Sequence, residues 1–100
     1  MSPCHLLLLA LLAVPCAGAA EDTNATIGRN LAATCVSCHG LASGTTNGIP
    51  AIAGRSKDSL MTLLAAFKEG KRPSTVMPQL VKGYSDAQLE AIAGYFAAKK

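Results

Sequence analysis

Cys35-Val36-Ser37-Cys38-His39 is the stretch on which the reading of this chain turns. Its two thiols stand three positions apart, one helical turn, and an imidazole follows at once. Three chemistries use such a pair. A redox dithiol of the thioredoxin kind wants its cysteines at the start of a helix that follows a strand, and nothing nearby reads as a strand. A structural zinc site wants four ligands. The third chemistry is covalent attachment of haem, which Cys-x-x-Cys-His specifies. Each thiol adds to one of the two vinyl groups on a porphyrin edge, and the next residue points its imidazole at the iron.

The residues upstream decide among the three. Leu6 to Val14 is almost unbroken Leu and Ala, followed by the small-residue run Ala17-Gly18-Ala19-Ala20. This is the apolar core and exit of a secretory signal, although an early Lys or Arg is missing. The run is too short to cross a bilayer, which takes about 20 apolar residues. The expected organisation is a signal peptide over residues 1–20 and one domain over residues 21–100. Cys16 opens a lipoprotein alternative, but Pro15 fits poorly where such processing prefers a small residue. Cleavage removes Cys4, Cys16 and His5, so that Cys35, Cys38 and His39 are the only Cys and His left. A four-ligand zinc site cannot then be completed. Export agrees with the haem reading, because attachment of this kind belongs outside the cytoplasm. The periplasm is the expected compartment.

A domain of about 80 residues buries only about 60% of its unfolded surface and usually needs a staple or a cofactor. Multi-domain enzymes, membrane spans and large nucleotide-binding folds are excluded. The formal charge of +3 is small and, with no Trp, two Phe and two Tyr, the chain offers no aromatic platform for nucleic acid.

With one histidine, the iron cannot take two imidazoles, and a Met thioether is the usual alternative. Met61 lies beside the apolar face Leu60, Leu63, Leu64 and Phe67 of a helix over residues 57–67 and reads as a packing residue. Met77 follows His39 by 38 positions, in Arg72-Pro73-Ser74-Thr75-Val76-Met77-Pro78. The two prolines forbid a continuous helix and hold the segment extended, so that a Met on a stiffened loop can reach the opposite haem face. Met77 is the expected sixth ligand.

The first helix is predicted from about Thr26 to Ser37, with Thr23 or Asn24 as N-cap. Ile27, Leu31 and Cys35 form one stripe, and Gly28 and Ala32 an adjacent row small enough for another helix to approach. The last helix opens on the capping box Ser85-Asp86-Ala87-Gln88 and carries Leu89, Ile92, Ala93 and Phe96 on one face, with Lys99 and Lys100 at the negative end of its dipole. Gly94 is expected opposite Gly28 where the helices cross, with Tyr95 or Phe96 filling the joint. Residues 40–54 form a long loop, expected to wrap the haem on its His side. The Pro50 carbonyl, or one close to it, is a candidate acceptor for the Nδ1 proton of His39. Arg55 is a candidate partner for a haem propionate, the alternative being an ordinary surface arginine. Lys57, Lys68, Lys71, Arg72, Lys82, Lys99 and Lys100 form either a basic rim that steers an acidic partner or scattered solvated charge.

The Cys35-to-His39 motif, the Phe67-Lys68-Glu69-Gly70-Lys71-Arg72 turn, Met77 and the final Tyr95-Phe96 helix together resemble class I cytochromes c. More narrowly, Ser74-Thr75-Val76-Met77 and Lys82-Gly83-Tyr84-Ser85, leading to Ala93-Gly94-Tyr95-Phe96, look like the haem subunit of flavocytochrome c sulfide dehydrogenase and related small periplasmic cytochromes. The resemblance implies an all-α fold of three or more short helices wrapped around one covalently bound haem. It implies Cys35 and Cys38 as thioether links, with His39 and Met77 as axial ligands of the iron. It further implies electron transfer by Fe(III)/Fe(II) cycling, with an FAD-containing sulfide dehydrogenase subunit or another redox protein as partner. The chain would be an electron-transfer subunit of an oxidoreductase rather than itself catalytic. The alternatives are a free-standing soluble cytochrome shuttling between respiratory complexes and, in a different class, a haem enzyme whose Met77 dissociates to open a site.

Overall fold

The structure is a computed structural model that describes residues 23–42 and 47–99. The expected signal peptide, its cleavage point and Lys100 lie outside the described residues. Among the described residues four helices follow in order: α1 (Thr23–His39), α2 (Lys57–Lys68), α3 (Met77–Val81) and α4 (Asp86–Ala97). Among the described residues there is no β-strand. The all-α expectation is met.

Helix α4 is the hub, packing on both α1 and α2, while α3 packs on α2. Its start is built from the sequence as read. Gln88 N–H donates to Ser85 Oγ at 3.1 Å, and Ser85 N–H donates to Gln88 Oε1 at 2.9 Å, so both halves of the capping box form. The four apolar positions Leu89, Ile92, Ala93 and Phe96 are all buried, Phe96 to 1% exposure. They meet Ala32 of α1, Leu60 of α2 and Val81 of α3 in a single core.

The α1–α4 crossing depends on a residue without a side chain. A Cβ on Gly28 would lie 2.7 Å from the Ala91 carbonyl oxygen and 3.3 Å from Tyr95 Cβ. Only glycine fits there, and Ala32, one turn on, is fully buried. The expected pairing of Gly28 with Gly94 is not what forms. A Cβ on Gly94 would meet nothing within 4 Å, because α4 presents Ala91 and Tyr95 to Gly28. The apolar stripe is also corrected: Ile27 is exposed, and Leu31 and Cys35 only flank the core.

Helix α1 is longer than predicted. Thr23 and Asn24 are already helical, and the helix continues through His39, so neither residue is its N-cap. At the far end Gly40 N–H still donates to Val36 O at 2.9 Å. Attachment motif and imidazole therefore share the last turns of one rigid rod. Helix α2 starts at the N-cap Ser56, whose Oγ accepts from Ser59 N–H at 3.1 Å. At its C-terminal end Lys68 Nζ donates to Tyr84 O at 3.1 Å and to Asp86 Oδ1 at 3.0 Å, which ties α2 to the start of α4.

The segment around Met77 is the clearest difference from expectation. Met77 opens the five-residue helix α3, with Pro78 in its first turn, rather than lying on an extended loop. Proline is tolerated there because the first amides of a helix have no intrahelical acceptor, and its fixed φ suits the helix. The prolines thus delimit a helix start instead of preventing one.

Candidate haem site

The three residues of the attachment motif line one open cavity of about 610 Å³. Helix α1 brings Cys35, Cys38 and His39 to it. The following loop adds Pro50, Ile52 and Arg55, and α2 adds Leu60, Leu63, Leu64 and Phe67. Helix α3 contributes Met77, Leu80 and Val81, and α4 closes the floor with Leu89, Ile92, Ala93 and Phe96. Every sequence-predicted site residue is in this lining. Met61 is not; it packs against the core from the flank, as a packing methionine does.

The chemistry of the lining fits a large flat apolar group. Val76 and Leu80, 55% and 40% exposed, line the same cavity as the aliphatic residues of α2 and widen the apolar surface it offers. Cys35 and Cys38 are free thiols rather than a disulfide. Burial pushes the Cys35 thiol above its ordinary range, a backbone hydrogen bond pulls it back somewhat, and the nearby Cys38 raises it further. A redox dithiol relies on the opposite shift, toward a ready thiolate. Among the described residues no group of three or more His, Cys, Asp and Glu side chains converges to hold a bare metal ion.

His39 is held by the loop on its own side. Its Nδ1 lies 2.7 Å from Pro50 O, the contact anticipated from the sequence. A carbonyl can only accept, so Nδ1–H is the donor of this contact, which in a neutral ring leaves the Nε2 lone pair for a metal. The loop is itself anchored. Gly54 N–H donates to Phe96 O at 2.9 Å, and this residue combines φ +81° with a Cβ position only 3.0 Å from Lys99 O. Backbone from α4 thus braces the loop that braces His39.

Charge around the site is less one-sided than the basic-rim reading requires. Lys57 Nζ pairs with Glu90 Oε1 at 2.9 Å, Lys68 with Asp86, and Lys71 with Glu69 Oε2 at 2.9 Å. Arg72 lies over the Phe67 ring, 5.6 Å from its centroid, and Lys99 over Tyr95 at 4.5 Å. Arg55 stands at the cavity with its side chain exposed and without an ion-pair partner among the described residues. A second concavity, about 740 Å³, runs between α1 and α4 past Gly28 and Gly94. It is larger, but it holds none of the thiol, imidazole or thioether groups. The sequence assigned no role to Ser74, whose Oγ accepts from Met77 N–H at 3.3 Å. A hydroxyl three residues before a helix start was the available signal.

A family model described as cytochrome c oxidase, cbb3-type, subunit III matches residues 22–96. The chain belongs to this family and is a class I cytochrome c. This cytochrome is 41% identical over 69 residues to the "Cytochrome subunit of sulfide dehydrogenase" of Chlorobaculum tepidum, a match covering 69% of this chain and 63% of the relative. It is 37% identical over 95 residues to cytochrome c4 of Pseudomonas aeruginosa, covering 94% and 46%. It is 39% identical over 72 residues to a "Thiosulfate dehydrogenase electron acceptor" of Thiomonas intermedia, covering 69% and 33%. The chain therefore spans less than two thirds of the length of each of these relatives. The cofactor of this cytochrome is haem c, and one attachment motif means one haem.

Proposed function

We propose that this cytochrome is an exported single-electron carrier in which Cys35 and Cys38 hold the haem and His39 and Met77 ligate its iron. The bound group supplies one-electron Fe(III)/Fe(II) chemistry. The observation that carries the reading is the convergence of two free thiols, an Nδ1-anchored imidazole and a thioether on one apolar cavity. Cys35 and Cys38 would hold the group through two thioether bonds, each the product of adding one S–H across one vinyl group. The Pro50 carbonyl keeps the His39 ring oriented and its Nε2 basic. The apolar walls from α2 and α4 exclude water, so little solvent need reorganise when the charge changes. Were His39 and Met77 both to hold the iron, they would leave no place on it for a substrate.

The electron donor we propose is a sulfur-compound dehydrogenase, first of all an FAD-containing sulfide dehydrogenase subunit. The relative from Chlorobaculum tepidum supports that choice, while the thiosulfate dehydrogenase acceptors favour a freely diffusing carrier as the second reading. Purification from the native cell, with absorption scanned for flavin beside haem, separates the two. Flavin at one equivalent per haem, with haem reduced on adding sulfide, is expected for the first. Haem alone, reduced only by a separate dehydrogenase, would select the second. Export to the periplasm belongs to the same proposal. It is checked by the mass of the purified chain, which should begin at Ala20 or Glu21.

A further inference from the structure

The stretch before Met77 is tethered by very little. Upstream, the turn after α2 ends with Arg72 N–H donating to Ala66 O at 3.3 Å. Downstream, Gln79 and Leu80 N–H donate to Val76 O at 3.0 and 3.1 Å, which ties α3 only to its own N-cap residue. Val76 caps α3 without a side-chain hydrogen bond, and Pro78 has no N–H to give. Residues 73–76 are exposed. Among the described residues, the single hydrogen bond that joins Pro73, Ser74 or Thr75 to anything is Met77 N–H to Ser74 Oγ, at 3.3 Å.

We propose that Ser74 is the positioning residue for Met77: its hydroxyl holds the Met77 backbone at the start of α3 and so sets how firmly the thioether is presented to the iron. The inference rests on Met77 being the iron ligand. A thioether is a weak, neutral donor, so the conformational freedom lost when it ligates is a large part of its balance. The prolines restrain their own φ and the residue before them, but they leave the Met77 amide without an acceptor. Ser74 supplies that acceptor, and its removal lets a competing ligand displace Met77 more easily.

The test uses the haem-loaded protein as Ser74, S74A, S74T and S74V. Two readouts are taken in the ferric state: the weak long-wavelength thioether-to-iron band, and the dissociation constant for added imidazole. Threonine and valine have the same shape and differ in the hydroxyl, so their comparison separates the hydrogen bond from packing, even if S74A matures poorly. S74A and S74V should bind imidazole about five-fold more tightly, the factor equivalent to the ~1 kcal/mol of one intramolecular hydrogen bond. S74T should match the unsubstituted protein. Equal affinities throughout, or a threonine variant that behaves like the valine one, would overturn the role of Ser74 while the band persists. A missing band in the unsubstituted protein would instead remove Met77 as ligand, and this inference with it.

Discussion

The 2.7 Å contact between His39 Nδ1 and Pro50 O carries electronic as well as steric consequences. With His39 on the iron as proposed, hydrogen bonding at Nδ1 would raise the basicity of Nε2, favour Fe(III) and lower the potential. Pro50→Ala keeps the carbonyl but frees φ. If about half of a ~1 kcal/mol hydrogen bond is lost, the one-electron potential should rise by roughly 20 mV. Voltammetry with an unchanged potential and spectrum would deny the contact an electronic role. Met77, the other ligand proposed, would act in the opposite sense. Met77→His replaces a thioether by a stronger σ-donor and should lower the potential by on the order of 0.1–0.3 V, within the roughly 0.8 V that axial ligands span. A shift smaller than the error of the titration would remove Met77 from the iron. The Pro50 contact was legible in the sequence, since an attachment-motif histidine needs an Nδ1 acceptor, and so was the place of Met77 on the cavity wall. Ser74 was not, because a hydroxyl three positions before a backbone amide occurs at countless turns and gains meaning only when no other hydrogen bond is near.

Helices α1 and α4 share an interface whose spacing is set by backbone, which gives opposed expectations for two glycines. In Gly28→Ala the new methyl would stand 2.7 Å from Ala91 O, and backbone in mid-helix cannot yield as a flexible side chain does. The substitution should cost about 1–3 kcal/mol. Gly94→Ala meets open space and should stabilise the protein by up to about 1 kcal/mol through helix propensity. Thermal melts of the haem-loaded variants check both; a neutral Gly28→Ala would mean that the helices can separate without loss. The sequence identified the small-residue row but paired it wrongly, because period alone does not fix how one helix is rotated against another. The capping box and four buried positions of α4 were legible, being local pattern plus burial. Helix α3 was not. Five residues hold too little periodicity to detect, and Pro78 reads equally as a breaker or as a first-turn residue. The extension of α1 to His39 was missed because the glycine that follows, rather than any change in polarity, ends the helix.

At the scale of the molecule, charge and cavity each set an expectation. Lys57, Lys68 and Lys71 are engaged with Glu90, Asp86 and Glu69, and the total excess is only +3 before two propionates are added. Long-range steering should be weak, so the second-order rate with a redox partner should change less than about three-fold between low and physiological ionic strength. A steep fall with salt would restore the basic rim. The cavity matters more, since all four helices line it and their buried residues form one core around its floor. Without its cofactor this open cavity fills with water, and the apolar lining that the four helices present to it loses about 25 cal/mol for each Å² left unburied. A typical domain has only about 5–15 kcal/mol of stability in total. That lining, with Val76 and Leu80 among it, then stays against water, which removes much of the apolar burial that draws the helices together. The haem-free Cys35→Ala/Cys38→Ala protein should therefore show little helical circular dichroism and no cooperative melt, whereas the haem-loaded protein shows both. A haem-free chain with native ellipticity and a cooperative transition would mean that the polypeptide alone specifies the fold.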